Sequence, residues 1–172
     1  MGGPYNRPVL IAVVTETDLS DLLPLLRAYC DFYKVSPSDR ELLDLARSLL
    51  ADPDCEGFQL IARESSGRAV GFATVYWSWS TLTAAREAIM NDLFVHPDAR
   101  GSGLAEALIE ECRERSRHRG AVSLGWQTAK DNLRAQTVYE RVGAKRDEWI
   151  DYSLDTTRRV KGTRRSTESR KG

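Results

Sequence analysis

Val95-His96-Pro97-Asp98-Ala99-Arg100-Gly101-Ser102-Gly103-Leu104-Ala105 is the stretch on which the fold turns. Residues Ala88 to Val95 before it are apolar and β-branched enough to read as a strand, and His96-Pro97 ends that run. After it, Leu104, Ala107, Leu108, Glu111 and Cys112 recur at helical spacing up to Gly120. A strand therefore passes through two glycines directly into an amphipathic helix. Successive main-chain N–H groups in such a turn, with the unpaired N–H groups of the helix's first turn, form a cradle for an anion. Gly101 and Gly103 permit the backbone angles and the close approach that a phosphate oxygen needs, and Ala105 is small enough to keep the helix near it. Taken alone, the same loop reads equally well as a plain turn. It is not a dinucleotide fingerprint, because the third glycine and a downstream ribose-binding acid are missing, and it lacks the Gly-Lys-Ser/Thr of a nucleotide-triphosphate loop.

Working outward, Val9 to Val14 reads as a first strand. Thr17-Asp18 offers cap chemistry for a helix through Leu19, Leu22, Leu25, Leu26 and Tyr29, with Pro24 expected to delay or kink it. Ser36-Pro37-Ser38-Asp39 opens a second helix that Asp52-Pro53-Asp54 stops. Phe58 to Arg63 and Ala69 to Ser80 form a hairpin about Ser65-Ser66-Gly67. Val122 to Gln127 reads as a strand, and Asn132 to Val142 as a helix closed by Gly143. Trp149, Ile150, Tyr152 and Leu154 predict a last strand. The order implies a mixed α/β (α+β) domain over residues 1–156, helices on a largely antiparallel sheet, followed by a basic tail over 157–172.

Composition bounds the function. A chain of 172 residues makes one domain with a real core. Twenty-five basic and 25 acidic residues cancel, so the whole molecule has no electrostatic case for nucleic acid or a membrane surface. Seven of the basic residues fall after residue 157 against the single acid Glu168, which leaves the body net acidic and suited to a cationic substrate. Cys30, Cys55 and Cys112 are scattered, with no metal-ligand spacing. No signal-peptide pattern and no membrane-length apolar run is present, and the expectation is a soluble cytoplasmic protein that uses no metal.

Arg100-Gly101-Ser102-Gly103-Leu104-Ala105 resembles the Arg/Gln-x-x-Gly-x-Gly/Ala motif of the GCN5-related N-acetyltransferases. The similarity extends from about Val9 to Leu154. It takes in Met90 to Val95 before the loop, and Asp131-Asn132-Leu133-Arg134-Ala135 through Val138-Tyr139-Glu140-Arg141-Val142-Gly143-Ala144 after it. Two motifs at this separation with a strand between them are far more specific than either alone. The resemblance implies a twisted, mostly antiparallel sheet of six to seven strands flanked by about four helices.

It also implies acetyl-CoA as the acyl-donating co-substrate. Main-chain amides of Arg100, Gly101, Gly103, Leu104 and Ala105 would bind its pyrophosphate, with Ser102 in the same loop and Asn132 a further contact. The bulged, splayed strand end at Leu93, Phe94 and Val95 would follow the pantetheine arm. Tyr139 takes the role of general acid, since a phenol can protonate a departing thiolate; its plainer reading is a tyrosine packed on the core face of its helix. An amine must be neutral to attack, which calls for a carboxylate. Where related polyamine-type enzymes carry Glu-Asp, this chain has Asn91-Asp92, so Asp92 is the candidate base or else a structural hydrogen-bonder, and Glu87 stands behind it.

For the acceptor, Trp77 and Trp79 alternate onto one strand face, where with Asn91 and Asp92 they would bound a pocket for a cation, or else simply pack. Tyr29-Cys30-Asp31-Phe32-Tyr33 and Asp147-Glu148-Trp149-Ile150-Asp151-Tyr152 are similar to diamine and polyamine acetyltransferases. The resemblance therefore favours a small polyamine-like amine ahead of an amino acid, an aminoglycoside or a protein lysine. A homodimer through the C-terminal strands is the expected assembly. The alternative from another class is an acyl-CoA-binding sensor without turnover.

Overall fold

The computed structural model describes residues 9–156. The first eight residues of the expected domain, read for a signal peptide, and the basic tail over 157–172 lie outside the described residues.

Thr15 opens the first helical segment: its main-chain N–H and its hydroxyl both donate to Asp18 Oδ2, at 2.9 and 2.7 Å. A short 3-10 turn leads into α1, Leu19–Phe32, which buries Leu19, Leu22, Leu25 and Leu26 on one stripe. Pro24 lies inside α1 without ending it; the proline is exposed, so the one hydrogen bond it cannot donate faces water. α2, Asp39–Ala51, starts with a reciprocal cap in which Glu41 N donates to Ser38 Oγ and Ser38 N donates to Glu41 Oε2.

The sheet comprises β1 (Val9–Val13), β2 (Gly57–Glu64), β3 (Ala69–Ser80), β4 (Ala85–Val95) and β5 (Ala121–Gly125), in that spatial order. The first four run antiparallel. β5 lies parallel to β4, reached through α3, Leu104–His118, as a parallel pair requires. α4 spans Leu133–Arg141. Five strands are present among the described residues, not six to seven. The expected last strand is the difference. Residues 144–155 form neither helix nor strand, and Trp149, Ile150, Tyr152 and Leu154 are 76 to 92 % exposed. Alternating apolar residues make a strand only beside a partner ladder, and none reaches them here.

Period-two alternation splits the core between the two sheet faces. Ile61, Phe72 and Phe94 pack under α1 and α2 with Leu22, Leu25, Leu26 and Ala46. Leu60, Ala73, Val75, Ala88 and Met90 pack under α3 with Leu104, Leu108 and Cys112. Arg63 clamps β2 to the start of α1 through Asp18 at 2.8 Å and Asp21 at 2.7 Å. No described helix is long and apolar enough to cross a membrane.

Candidate active site

A break in the ladder makes the site. Thr74 pairs with Asp92 but Val75 pairs with Met90, so Asn91 is an extra residue and β4 bulges there. On the other edge, β4 and β5 pair only as far as Ile89 and Gly125. Beyond that point the two strands part. His96 N donates to Val70 O at 2.8 Å, so period two turns the main chain of Phe94 and Asp92 toward β3. The N–H and C=O groups of Leu93 and Val95 consequently face the gap that β5 has left. A polar edge inside a cleft is open to a ligand that can pair with it.

The cleft holds about 770 Å3 between the end of β4, the start of α3 and one face of α4. Leu93, Phe94 and Val95 form one wall, and Arg100, Gly101, Gly103, Leu104 and Ala105 form its end. Gly101 and Gly103 both adopt left-handed angles, φ +77° and +80°, as the sequence led one to expect. A Cβ on Gly101 would meet nothing within 4 Å, so its freedom of angle, not crowding, explains the glycine. Gly103, Leu104 and Ala105 set the N-terminus of α3, with its free first-turn N–H groups and the positive end of the helix dipole, at that end of the cleft.

Three groups of two loop residues are engaged within the protein. Arg100 N donates to Pro97 O at 3.2 Å, so this amide is turned inward, while Arg100 Nε donates to Val95 O at 3.0 Å. The Ser102 hydroxyl donates to Ala99 O and ties the loop to its own start. His96 is a turn residue, its Nδ1 accepting from Asp98 N at 3.3 Å.

α4 supplies the opposite wall. Asn132 caps it, accepting from Ala135 N at 3.2 Å, and also lines the cleft. Tyr139 lines the cleft with its ring set edge-on to Trp126, centroids 5.2 Å apart. Burial raises the Tyr139 phenol above its ordinary value, and a hydrogen bond with Thr128 draws it part of the way back. The phenol therefore keeps its proton at neutral pH. Arg141 bridges from the end of α4 to Glu106 in the first turn of α3.

Asp92 sits beside this cleft, under α1. Burial raises its carboxyl above the usual carboxylate range; hydrogen bonds with Thr74, Tyr29 and Asn91 oppose that rise, Asn91 Nδ2 donating at 3.1 Å. Tyr29 is pushed well up by burial and by the neighbouring Asp92 and Tyr33. Cys30 and Tyr76 also face Asp92, and both are raised, by burial first. Asp92 immediately precedes Leu93 on β4, and Tyr139 lines the same cleft as Leu93.

Trp77 and Trp79 are not brought to this place. Asp92 shares the α1 face of the sheet with Thr74, whereas Trp77 packs with the α3-side core, tilted against Phe58 with ring centroids 5.4 Å apart and with Nε1 donating to Pro53 O at 2.8 Å. Alternation puts Trp79 on that same face, 69 % exposed with Arg86 above its ring. The aromatic wall comes instead from α1, where Tyr29, Phe32 and Tyr33 line the cleft. Their i, i+3, i+4 spacing was a readable sign that they share a helix face. Glu87 lies farther down β4 opposite Ser78 and does not line the cleft.

The model of the Acetyltransferase (GNAT) family matches residues 22–144. The chain belongs to that family. It is 30% identical over 145 residues to the D-amino-acid N-acetyltransferase HPA3 of Saccharomyces cerevisiae, covering 83% of this chain and 88% of that protein. A thialysine N-epsilon-acetyltransferase of Caenorhabditis elegans is 25% identical over 149 residues, covering 84% of this chain and 91% of the relative. Among solved structures, one of a probable acetyltransferase matches with a TM-score of 0.74 at 29% identity, over 85% of this chain and 97% of that one. This GNAT protein is accordingly an acyltransferase of the N-acetyltransferase class, on a family that generally draws its acetyl group from acetyl-CoA. Among the described residues no group of His, Cys, Asp and Glu is arranged to hold a metal ion.

Proposed function

We propose that this chain transfers an acetyl group from acetyl-CoA to a small primary amine by direct attack within a ternary complex. The observation that carries the reading is one continuous cleft shared by the Gly101–Ala105 cradle, the edge of Leu93 and Val95 that β5 leaves uncovered and the Tyr139 phenol. Gly101, Gly103, Leu104 and Ala105 would grip the pyrophosphate through main-chain N–H groups, with Arg100, Ser102 and Asn132 around it. Leu93 to Val95 would hold the pantetheine arm as an added strand.

The chemistry follows from those positions. Asp92 accepts the proton of the attacking amine, and a carboxyl raised by burial is a stronger base than one in water. The Leu93 N–H polarises the thioester carbonyl as the tetrahedral oxyanion forms. The C–S bond then breaks and Tyr139 protonates the departing sulfur. Asn91, Asp92, Tyr29, Phe32 and Tyr33 would receive the acceptor, an acid among aromatics, which favours a cationic amine of the polyamine kind. An amino-acid amine stands second, in keeping with the acceptors for which two relatives are named. Free Cys30, Cys55 and Cys112 fit a reducing cytoplasm. Two copies pair through residues 149–154, whose apolar side chains lie exposed.

Calorimetry with CoA and acetyl-CoA, followed by thiol release across a panel of diamines, polyamines, amino acids, aminoglycosides and lysine peptides, tests the reading. The expected outcome is binding of both ligands and acetylation of a diamine or polyamine, with Tyr139→Phe lowering kcat about 100-fold. Binding without turnover of any amine, unaltered by Tyr139→Phe, would instead mark a sensor of acyl-CoA.

A further inference from the structure

We propose that Gln59 is a positioning residue for the acetyl transfer: from two strands away, through the Thr74 hydroxyl, it fixes the hydrogen bond that the Asp92 carboxylate accepts. The inference rests on the functional reading above, in which Asp92 takes the proton of the attacking amine. A base must be ionised when the amine arrives, with a lone pair free to meet it. Burial works against the charge, so a group behind Asp92 has to favour it.

Sheet register puts the three side chains in one row. Gln59 lies opposite Thr74 across β2 and β3, and Thr74 lies opposite Asp92 across β3 and β4. Residues directly opposite share a face, with Cβ atoms about 5 Å apart. That face is the one α1 and α2 cover, since Ile61, Phe72 and Phe94 stand two residues along from Gln59, Thr74 and Asp92. The row is the rung next to the bulge at Asn91, where the ladder is interrupted. Gln59 Nε2 donates to Thr74 Oγ1 at 3.0 Å, and Thr74 hydrogen-bonds in turn with Asp92. Thr74 is fully buried and Gln59 is 3 % exposed, so bulk water does not compete for either.

Charge dictates which way the row runs. An ionised carboxylate only accepts, so the Thr74 hydrogen goes to Asp92 and the Thr74 oxygen needs a donor behind it. Of the two ends of the Gln59 amide, only the NH2 group supplies one. A donor behind a hydroxyl polarises it and strengthens the hydrogen bond that it gives. Packing does not account for a glutamine here. Gln59 Oε1 is buried without a partner among the described residues, a cost that an apolar side chain of the same length would avoid. The other groups that face Asp92 are Tyr29 and Cys30 on α1, Tyr76 on β3 and Asn91 on β4, none of them charged at neutral pH.

Carbon NMR of the Asp92 carboxyl in the free enzyme, assigned by its loss in Asp92→Asn, reads the row without any substrate. Thiol release from acetyl-CoA, with the amine of the panel above that is acetylated fastest, reads its use. Thr74→Val is expected to raise the Asp92 titration by about one pH unit and Gln59→Met by about half of one. In Gln59→Met that is a loss of about threefold in kcat/KM on the acid limb, recovered on the plateau above it. Thr74→Ser keeps the hydroxyl and should titrate like wild type. Gln59→Met added to Thr74→Val should change nothing further, because Gln59 acts through the hydroxyl. A side chain that merely packs would lower stability or rate at every pH and leave the titration in place. Thermal melts verify folding, and Gln59→Leu replaces Gln59→Met should the latter not fold. An Asp92 titration unmoved in the Gln59 variant, or moved equally with and without the Thr74 hydroxyl, would overturn the positioning role, as would a Thr74→Val protein that titrates like wild type. Expected titrations beside an Asp92→Asn enzyme of wild-type kcat/KM would instead overturn the functional reading beneath it.

Discussion

Asp92 carries the tension between chemistry and stability in one side chain. Its carboxyl is raised above 3.8 by burial, so the folded chain holds that proton more tightly than the unfolded chain does. Ionised Asp92 therefore weakens the fold: stability falls as pH rises from the unfolded value through the raised folded one, and above that the penalty is complete. Asp92→Asn keeps a hydrogen-bonding carbonyl for Tyr29 and Thr74 and removes the charge. The variant is expected to melt higher than wild type at pH 7, to lose that advantage near pH 3, and to show kcat/KM lower by about 100-fold or more. Thermal melts at the two pH values beside thiol-release rates check it; a variant less stable at pH 7 would contradict the burial account. As the proposed base, Asp92 is expected to make kcat/KM decline on the acid side through a pKa above the usual carboxylate range. A decline confined to the range of an ordinary exposed carboxylate would exclude it. Sequence alone was enough to single out Asp92 and Tyr139, because each lies in a motif. It named Tyr29 only within a segment of α1 and did not reveal Thr74, which hydrogen-bonds with Asp92, or Gln59, which holds Thr74; these meet only through pairing of β2, β3 and β4 and packing of α1 on them.

Strand, turn and helix assignments followed from local rules wherever the local pattern decided the structure. Ser38 with Glu41, the Gly67 turn and the helical spacing after Gly103 each specify their element within a few residues. The bulge at Asn91 is different, since it is a relation between two strands and leaves no mark on either sequence. The two tryptophans show the same limit: alternation put them on one face but not on which one. Two glycines separate the demands of fold and site. A Cβ at Gly57, where φ is +144°, would stand 1.9 Å from the Val75 carbonyl oxygen, a backbone atom that cannot yield. Gly57→Ala is expected to cost more than about 3 kcal/mol and to leave little soluble folded protein. Gly101→Ala meets open space and costs only the left-handed strain, about 1 kcal/mol. Its effect should fall on affinity, with CoA binding about tenfold weaker and a melting point lower by only a few degrees. Comparable losses of stability in both variants would remove the distinction between a glycine for packing and a glycine for ligand.

At the scale of the molecule, the side chains left over point outward. Trp149, Ile150, Tyr152 and Leu154 follow α4 in a stretch that is neither helix nor strand, and β5 presents an edge with Val122 60% exposed. An edge strand and an alternating apolar segment in one chain each lack what the other has. In the proposed homodimer the segment of each copy supplies cover for the other, and a stable interface of this kind needs on the order of 1,200–2,000 Å2. Light scattering should then give twice the mass of one chain at about 10 μM, and Ile150→Asp with Tyr152→Asp should halve it. These positions are not among the residues lining the cleft, so acetyl-CoA affinity in that double variant should stay within about threefold of wild type. A wild-type monomer at that concentration would mean that the apolar segment is covered by something other than a second copy. A monomeric variant that no longer binds acetyl-CoA would mean that the cleft itself depends on the partner.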